Sequence, residues 1–197
     1  GSRLVAFNLL HQFFSLFGAT GTFLPAGALI VILLVWHIAC GDKWTIHVGT
    51  LIGMFFESWL LTLPLLALAA GFARLQLHTL MAEYGGGISE RVIIAMGAGI
   101  YEELIFRLMA LTLLHLLLVD FLRMPKNRAG ILMVLISGIL FSLYHYLGPE
   151  AFSWKTCLFR TLAGIYFGGI FICRGFGVTA GCHAIYDIII LSLAAAS

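Results

Sequence analysis

The chain contains 197 residues, of which 61% are hydrophobic and only 10% are charged. Soluble domains carry about 25% charged residues, so the composition excludes an ordinary soluble domain and indicates an integral membrane protein. The net charge of +2 is too small to suggest nucleic acid, and the lipid bilayer is the expected surrounding. Gly1 and Ser2 are interpreted as a cleavage scar from protein expression, and residues 3–197 as one transmembrane domain.

Several apolar segments are long enough to cross a bilayer, which takes roughly 20 mostly apolar residues. The first, residues 4–19, is shorter and polar in places, so it either spans with a tilt or lies at the interface as an amphipathic helix. The further candidates are residues 24–40, 48–72, 92–118, 130–147, 157–173 and 177–196. Since the sequence has no strand pattern, we predict an all-α bundle of six to seven transmembrane helices with an intramembrane polar cavity.

The basic residues in the connections predict an orientation, because cytoplasmic loops are enriched in lysine and arginine. The two alternating sets of connections contain Lys43, Arg123, Lys126, Arg128 and Arg174 on one side, and Arg74, Arg91 and Lys155 on the other, with Arg160 expected near the start of its helix. The first set is the richer, so we predict that loop 120–129 is cytoplasmic in a multi-pass protein of the cell membrane. The longest connection, residues 74–91 with three consecutive glycines, is either a mobile lid or a plain linker.

Small residues are interpreted here as packing residues. The cysteines occur singly, without CxxC spacing, so they are expected to be small buried residues and not disulfide partners or zinc ligands: Cys40, Cys157, Cys173 and Cys182. Glycines that would allow helices to approach closely are Gly97, Gly99, Gly164, Gly168 and Gly169.

Ionisable residues inside the apolar segments are the strongest functional signal. They are costly at membrane depth and usually face a bundle interior or a wet cavity. Those singled out here are Glu57, Glu102, Glu103, Arg107, His115, His145, His183 and Asp187. Among these, Glu57 is expected to line the cavity or to pair with Arg107, and His115 to be a packed or interfacial residue.

The segment "EELIFR" places two adjacent acids and a base on one helix. Glu103 and Arg107 are four residues apart with the acid first, the favoured order for an ion pair on one helical face. Glu102 points about 100° away from Glu103, so it can face another partner. This predicts one structural and one working carboxylate, the alternative being an ion network that only packs helices.

Two histidine segments add further polar groups. His145 follows Phe141 by one turn, and His183 and Asp187 are four residues apart on one face. Asp187 can accept a hydrogen bond from one imidazole nitrogen and leave the other for chemistry. Such a set suits water activation, with Glu102 taking the proton, one histidine orienting the water and the other stabilising an oxyanion. Glu102, His145 and His183 could also hold Zn²⁺ with an open position.

Three motifs in order, "EELIFR", "FSLYH" and "HAIYD", resemble the EExxxR, FxxxH and HxxxN/D motifs of the CPBP family. That family contains the CaaX-prenyl-protease type II enzymes and the bacteriocin-processing or self-immunity proteins, also called Abi. The resemblance covers residues 92–191, the expected catalytic core. It implies an intramembrane endopeptidase in which Glu102, His145, His183 and Asp187 are catalytic, supported by Glu103, Arg107 and Phe141.

The resemblance also implies the mechanism, the cofactors and the substrate. Glutamate and histidine would activate water without a cofactor, although an older interpretation of the family is a zinc protease. Asp187 stands where eukaryotic CaaX enzymes have asparagine, a better oxyanion donor, so we assign it to orienting His183. The compact size suggests a prokaryotic member, whose substrate would be a membrane-embedded protein or peptide, cut at a bond that could lie near its C-terminus.

Other interpretations of the polar residues stay open at this point. The chain could be a non-enzymatic immunity or scaffold protein, or an ion or proton pathway, because intramembrane acids and histidines serve these roles too. Position along the helices also raises a difficulty. Counted at 1.5 Å per residue, Glu102 lies near the middle of the membrane, whereas His145 lies near the non-cytoplasmic end of its helix.

Overall fold

The structure is a computed structural model that describes residues 24–41, 43–72, 88–148 and 150–196. The predicted segment 4–19 lies outside the described residues, as does most of the connection 74–91 with its glycine run. Residues 88–91 of that connection are described, and they form the first turn of a helix where the sequence predicted a loop. A helix can begin with polar residues such as Ser89, Glu90 and Arg91. The sequence prediction assigned them to the loop and therefore placed the start of the helix four residues too late.

The described chain consists of six helices and contains no strand within these ranges. They are α1 (Leu24–Cys40), α2 (Val48–Gly71), α3 (Ile88–Glu103, continuing to Phe121), α4 (Lys126–Tyr144), α5 (Trp154–Arg174) and α6 (Phe176–Ala196). Helices α2 to α6 are long and apolar enough to cross a membrane by length and composition, and α1 is a shorter apolar helix. The predicted all-α membrane fold is therefore confirmed, and this is a multi-pass membrane protein.

Helix α4 begins four residues before the predicted start, directly after Pro125. Proline has no backbone N–H to donate, so it is well tolerated just ahead of a helix. The basic residues Lys126 and Arg128 therefore belong to the first turn of α4 and not to the loop. At its other end, α4 passes into a short 3₁₀ turn, His145–Leu147.

Helix α3 changes its winding immediately after the two adjacent glutamates. Residues Leu104–Met109 and Leu116–Phe121 are π-helical, with an α-helical turn, Ala110–His115, between them. The amide of Ala110 bonds to the carbonyl of Ile105, five residues earlier, and the buried hydroxyl of Ser137 on α4 donates to the carbonyl of Phe106 over 2.7 Å. Short π segments often occur at functional sites, and this one contains Arg107.

Two close helix crossings hold the centre of the bundle together. Helix α3 packs along α6, and α4 packs along α5. At Gly99 on α3, an added Cβ would lie 2.8 Å from the carbonyl oxygen of Ala180 on α6. At Gly164 on α5, it would lie 2.8 Å from the Cα of Gly138 on α4. The backbones are therefore too close for any side chain at either crossing, as predicted for Gly99 and Gly164.

The remaining predictions for small residues had mixed outcomes. Gly168 faces Val134, but an added Cβ at Gly169 would meet no described atom within 4 Å, so that glycine is not at a helix crossing. Cys182 is buried, and its carbonyl accepts from the hydroxyl of Thr62 on α2. Cys40 and Cys173 are exposed, which contradicts the prediction that they are buried. Both lie near helix ends, where the outer surface is not covered by another described helix.

The outer faces of the helices are apolar. On α2, large side chains such as Ile52, Phe56, Leu60 and Leu63 are more than half exposed. A soluble monomer rarely exposes so continuous an apolar face, whereas lipid tails would cover it without cost. The buried charged and imidazole side chains lie between α3, α4, α5 and α6 instead.

Candidate active site

The three motif segments meet at one point inside the bundle. Glu102 Oε2 on α3 lies 4.0 Å from His145 Nε2 at the end of α4 and 3.8 Å from His183 Nε2 on α6. These separations are too long for direct hydrogen bonds but allow one water molecule to contact both groups. The difference in depth expected between Glu102 and His145 does not occur, because the end of α4 lies beside this part of α3.

Glu102 is buried and held by a residue that the sequence analysis did not single out. The hydroxyl of Tyr144 on α4 donates to Glu102 Oε1. The Tyr144 ring packs against Phe106, with ring centroids 4.9 Å apart, and against His145 at 4.4 Å. Tyr144 follows Phe141 by three residues, which places both on one helical face, and this spacing could have identified it.

Glu103 lies at the centre of a fully buried ionic network. Its Oε2 is 3.0 Å from Arg107 Nε, so the predicted ion pair is confirmed. Its Oε1 is 2.8 Å from His183 Nδ1 on α6. One carboxylate thus links the guanidinium of its own helix to an imidazole of the neighbouring helix.

Arg107 is fixed by several contacts besides the ion pair. Its Nη2 donates to the carbonyl of Gly164 on α5 over 3.1 Å. The guanidinium carbon lies 4.6 Å from the centroid of the Phe141 ring and 5.5 Å from that of Phe167, both within the range of cation–π attraction. The Gly164 carbonyl is reachable because α5 has no side chain there. This explains how a charged residue can occupy the interior of a membrane bundle.

His183 has a defined orientation. Its ring stacks on Phe167, with centroids 4.6 Å apart and planes 20° from parallel, and its Nδ1 faces the Glu103 carboxylate. A carboxylate accepts hydrogen bonds, so the contact places a proton on Nδ1. Nε2 then faces Glu102 and also Asp187, whose Oδ2 is 3.5 Å away.

The partner that orients His183 differs from the prediction. Asp187 was expected to hold one imidazole nitrogen and leave the other for chemistry, but the short contact of 2.8 Å belongs to Glu103. Asp187 instead lies on the same side of the ring as Glu102. The close α3–α6 crossing at Gly99 brings Glu103 nearer to His183 than Asp187 lies.

His145 is also fixed in one tautomer when it is neutral. Its Nδ1 is 2.8 Å from the carbonyl oxygen of Phe141, one turn earlier on α4. A carbonyl can only accept, so Nδ1 carries the proton and Nε2 keeps its lone pair. That lone pair is on the nitrogen nearest to Glu102.

A metal centre was tested against the donor atoms. Within the described residues, no group of three or more His, Cys, Asp or Glu side chains is arranged to hold a metal ion. The zinc site that the sequence left open stays a prediction.

The other intramembrane ionisable residues lie away from this cluster. Glu57 on α2 pairs with Arg174 at the end of α5, over 2.6 Å between Oε2 and Nη2, so the suggested pairing with Arg107 is wrong. His115 and Asp120 form an exposed contact of 3.6 Å on the far half of α3. Neither pair has a described contact with Glu102 or either site histidine.

The fold and the site define a multi-pass membrane protein with a buried glutamate, two histidines and an aspartate facing one gap. Residues 86–189, more than half of the chain, match the family model described as type II CAAX prenyl endopeptidase, Rce1-like. The chain therefore belongs to this family of endopeptidases, and the resemblance stated from the three motifs is confirmed. No curated protein and no solved structure matches the chain significantly.

Proposed function

We propose that the protein is an intramembrane endopeptidase that hydrolyses a peptide bond of a membrane-embedded protein or peptide with water activated by Glu102 and His145. The observation that carries this proposal is the gap of 3.8–4.0 Å between Glu102 Oε2 and both histidines, each of which presents Nε2. A water molecule in that gap would lie within hydrogen-bond reach of a base and of an orienting nitrogen.

Glu102 is the general base. Tyr144 holds its Oε1, so Oε2 faces the gap and can accept a proton from the water. The lone pair on His145 Nε2 accepts the second O–H of that water and aims the oxygen at the substrate carbonyl. As the C–O bond forms, the carbonyl electrons move to its oxygen. The proton on Glu102 then passes to the leaving nitrogen as the C–N bond breaks.

His183 and Asp187 flank the position of the oxyanion. When the His183 ring carries both protons, Nε2–H can donate to the developing negative charge while Nδ1–H remains on Glu103. Asp187 Oδ2, 3.5 Å from Nε2, helps to keep that nitrogen directed towards the gap. An ionised carboxylate cannot itself donate to an oxyanion, so its role is positioning.

Glu103 and Arg107 act as the scaffold of the site. Glu103 orients His183, and Arg107 compensates the charge of Glu103 in a region without solvent. The helix therefore carries a fixed, neutral pair next to the reactive Glu102. Such partners behind a reactive imidazole typically change activity by about 10–100-fold when they are altered.

The direct test is Glu102→Gln, which keeps the shape of the side chain but removes the base. We expect hydrolysis of a reporter peptide by the purified protein in lipid vesicles to fall by about 10²–10⁴-fold, the usual contribution of a general base. The reporters are prenylated and unprenylated peptides ending in CAAX. Glu57→Gln is the matched control, since Glu57 pairs with Arg174 outside the site. Full activity of a folded Glu102→Gln protein would exclude Glu102 as the base, whereas loss of folded protein in this variant would favour a scaffold or immunity function.

We also propose that the reaction needs no metal ion. Activity in vesicles should survive exhaustive dialysis against a strong chelator, and the metal content of the active preparation should be far below one ion per chain. Loss of activity on chelation, restored by zinc and by no other added salt, would contradict this. The protein's place in a prokaryotic cell membrane, with loop 120–129 cytoplasmic, likewise stays a prediction.

A further inference from the structure

An arginine and a glutamate outside the catalytic cluster form a pair that the proposed mechanism does not use. Arg160 lies six residues after the start of α5, inside a segment long and apolar enough to cross the membrane. Its Nη1 is 2.8 Å from Oε2 of Glu150 in the α4–α5 connection. The two side chains are only 14% and 19% exposed, so this is not an ordinary surface ion pair.

This pair is adjacent to the catalytic cluster. The guanidinium carbon of Arg160 lies 5.9 Å from the centroid of the Tyr146 ring, and Tyr146 directly follows His145. Arg160 is therefore a cation held next to the residue that follows His145.

The same side of the cluster is also the more open one. His145 and Asp187 are 20% and 24% exposed, whereas Glu102 and His183 are each 6% exposed. Arg160 and Glu150 have intermediate exposure close to that of His145 and Asp187. A peptide that reaches Glu102 from this more open side would bring one of its ends close to Arg160.

A guanidinium is well suited to bind a carboxylate, because its planar N–H groups match the two oxygens. A CAAX motif is by definition C-terminal, so the three residues after its cysteine end in a free α-carboxylate. Three extended residues span at most about 10 Å. Glu102 faces His145 across 4.0 Å, Tyr146 is the next residue along the chain, and its ring centroid lies 5.9 Å from the Arg160 guanidinium carbon.

We propose that Arg160 binds the C-terminal carboxylate of the substrate, and that Glu150 occupies this position in the free protein. The proposal rests on the proposed endopeptidase function, since it assigns the leaving end of the peptide to the same site. Substrate binding exchanges one carboxylate partner of Arg160 for another. A peptide with a blocked C-terminus cannot make that exchange and binds less tightly.

The competing explanation is that the Arg160–Glu150 pair only fastens the α4–α5 connection to α5. The two roles differ in one measurable respect. A fastening pair affects every peptide equally, whereas a carboxylate site affects only peptides that end in a free acid. The informative quantity is therefore the ratio of affinities for two peptides that differ only in their C-terminus.

The experiment measures binding of two fluorescent prenylated CAAX peptides, one a C-terminal acid and the other a C-terminal amide. It uses the Glu102→Gln protein in lipid vesicles, so that turnover does not interfere. We expect the acid to bind about 10–100-fold more tightly than the amide, the range for one charge-assisted hydrogen-bonded contact. Arg160→Gln should remove this preference by weakening the acid alone. Lys155→Gln, an exposed cation at the start of α5, is the control and should retain it.

Glu150→Gln supplies the opposite change. It removes the internal competitor from Arg160, so the acid should bind more tightly while the amide is unaffected. Arg160→Lys keeps the charge without the planar pair of donors, and we expect a reduced but measurable acid preference. Each result is the ratio of the affinities for the acid and the amide peptide, measured on one preparation. A partial loss of folded protein affects both measurements equally and does not change this ratio. Should Arg160→Gln fail to fold, the lysine variant and Glu150→Gln carry the test.

Equal binding of acid and amide by the parent protein, or no binding of either, would overturn the proposal. So would an Arg160→Gln protein that weakens both peptides by the same factor. Failure of the endopeptidase function has a separate signature, which is the absence of cleavage by the protein with Glu102 intact. An acid preference in binding without hydrolysis would retain the carboxylate site and reject the protease.

Discussion

Two arginine–glutamate pairs of this protein have the same chemistry and opposite surroundings. Glu103 and Arg107 are fully buried where α3 meets α6, and their partners include an imidazole and a backbone carbonyl. Glu57 and Arg174 meet where α2 faces the end of α5, and Arg174 is more than half exposed. Only the buried pair is connected to groups that can perform chemistry.

The comparison shows that an intramembrane charge is not by itself evidence of function. Glu57 lies inside an apolar segment, as Glu103 does. Its partner Arg174, however, is at a helix end, where solvent and lipid headgroups can compensate the charges of the pair. Glu103 has no such alternative, because it is fully buried. The two pairs should therefore respond differently to the same substitutions.

The largest expected effect comes from removing the cation. Arg107→Leu leaves Glu103 as a buried charge without its compensating partner, and breaking a buried pair in this way costs about 3–5 kcal/mol. We expect loss of folded protein, measured as a marked fall in the thermal unfolding temperature in detergent. Arg174→Leu is the matched control and should unfold near the parent temperature, since its partner can be solvated. Equal effects of the two substitutions would mean that burial does not separate the pairs.

A smaller effect is expected from changing the acid while preserving its shape. Glu103→Gln keeps an acceptor for His183 Nδ1 but removes the negative charge next to the imidazole. We expect kcat to fall by about 10–100-fold, with a smaller change in KM, because orientation of the imidazole matters most in the transition state. Glu57→Gln should retain the parent kcat. An unchanged kcat in a folded Glu103→Gln protein would mean that the Glu103–Arg107 pair stabilises helix packing and has no role in catalysis.

Local spacing along a helix was sufficient to predict part of the site. The four-residue separation of Glu103 and Arg107 predicted their pairing, and the 100° between neighbouring residues predicted that Glu102 faces elsewhere. Apolar length likewise predicted the described helices, with errors at their ends, where polar residues form first turns or, on α3, where the helix continues to Phe121. These features depend on one helix at a time, so the sequence contains them directly.

The remaining features depend on how helices meet. Asp187 was assigned to His183 because both lie on α6, but Glu103 reaches that imidazole across the Gly99 crossing. Counting residues along straight helices separated Glu102 from His145 in depth, although their side chains face each other across 4.0 Å. The π-helical turns after Glu103 correspond to no recognised sequence pattern. Distances between helices require tertiary contacts that periodicity does not encode.

Glu102 differs from the two paired glutamates because a neutral group, the Tyr144 hydroxyl, holds its carboxylate. The Tyr144 hydroxyl donates to it where Glu103 has a guanidinium. Tyr144→Phe removes one hydrogen bond and keeps the ring packing against Phe106. We expect kcat to fall by about tenfold with KM nearly unchanged, since one hydrogen bond to a charged group contributes about 1.5–3 kcal/mol.

The control for this smallest change is Tyr166→Phe, which deletes an equivalent hydroxyl bonded to the Leu61 carbonyl on α2 over 2.7 Å. Each variant loses one side-chain hydrogen bond inside the protein, so each should have a slightly lower unfolding temperature. Only Tyr144→Phe should change kcat, because only that hydroxyl touches the working carboxylate. If the two tyrosine variants lose activity in parallel with stability, Tyr144 holds the helices together and does not orient Glu102.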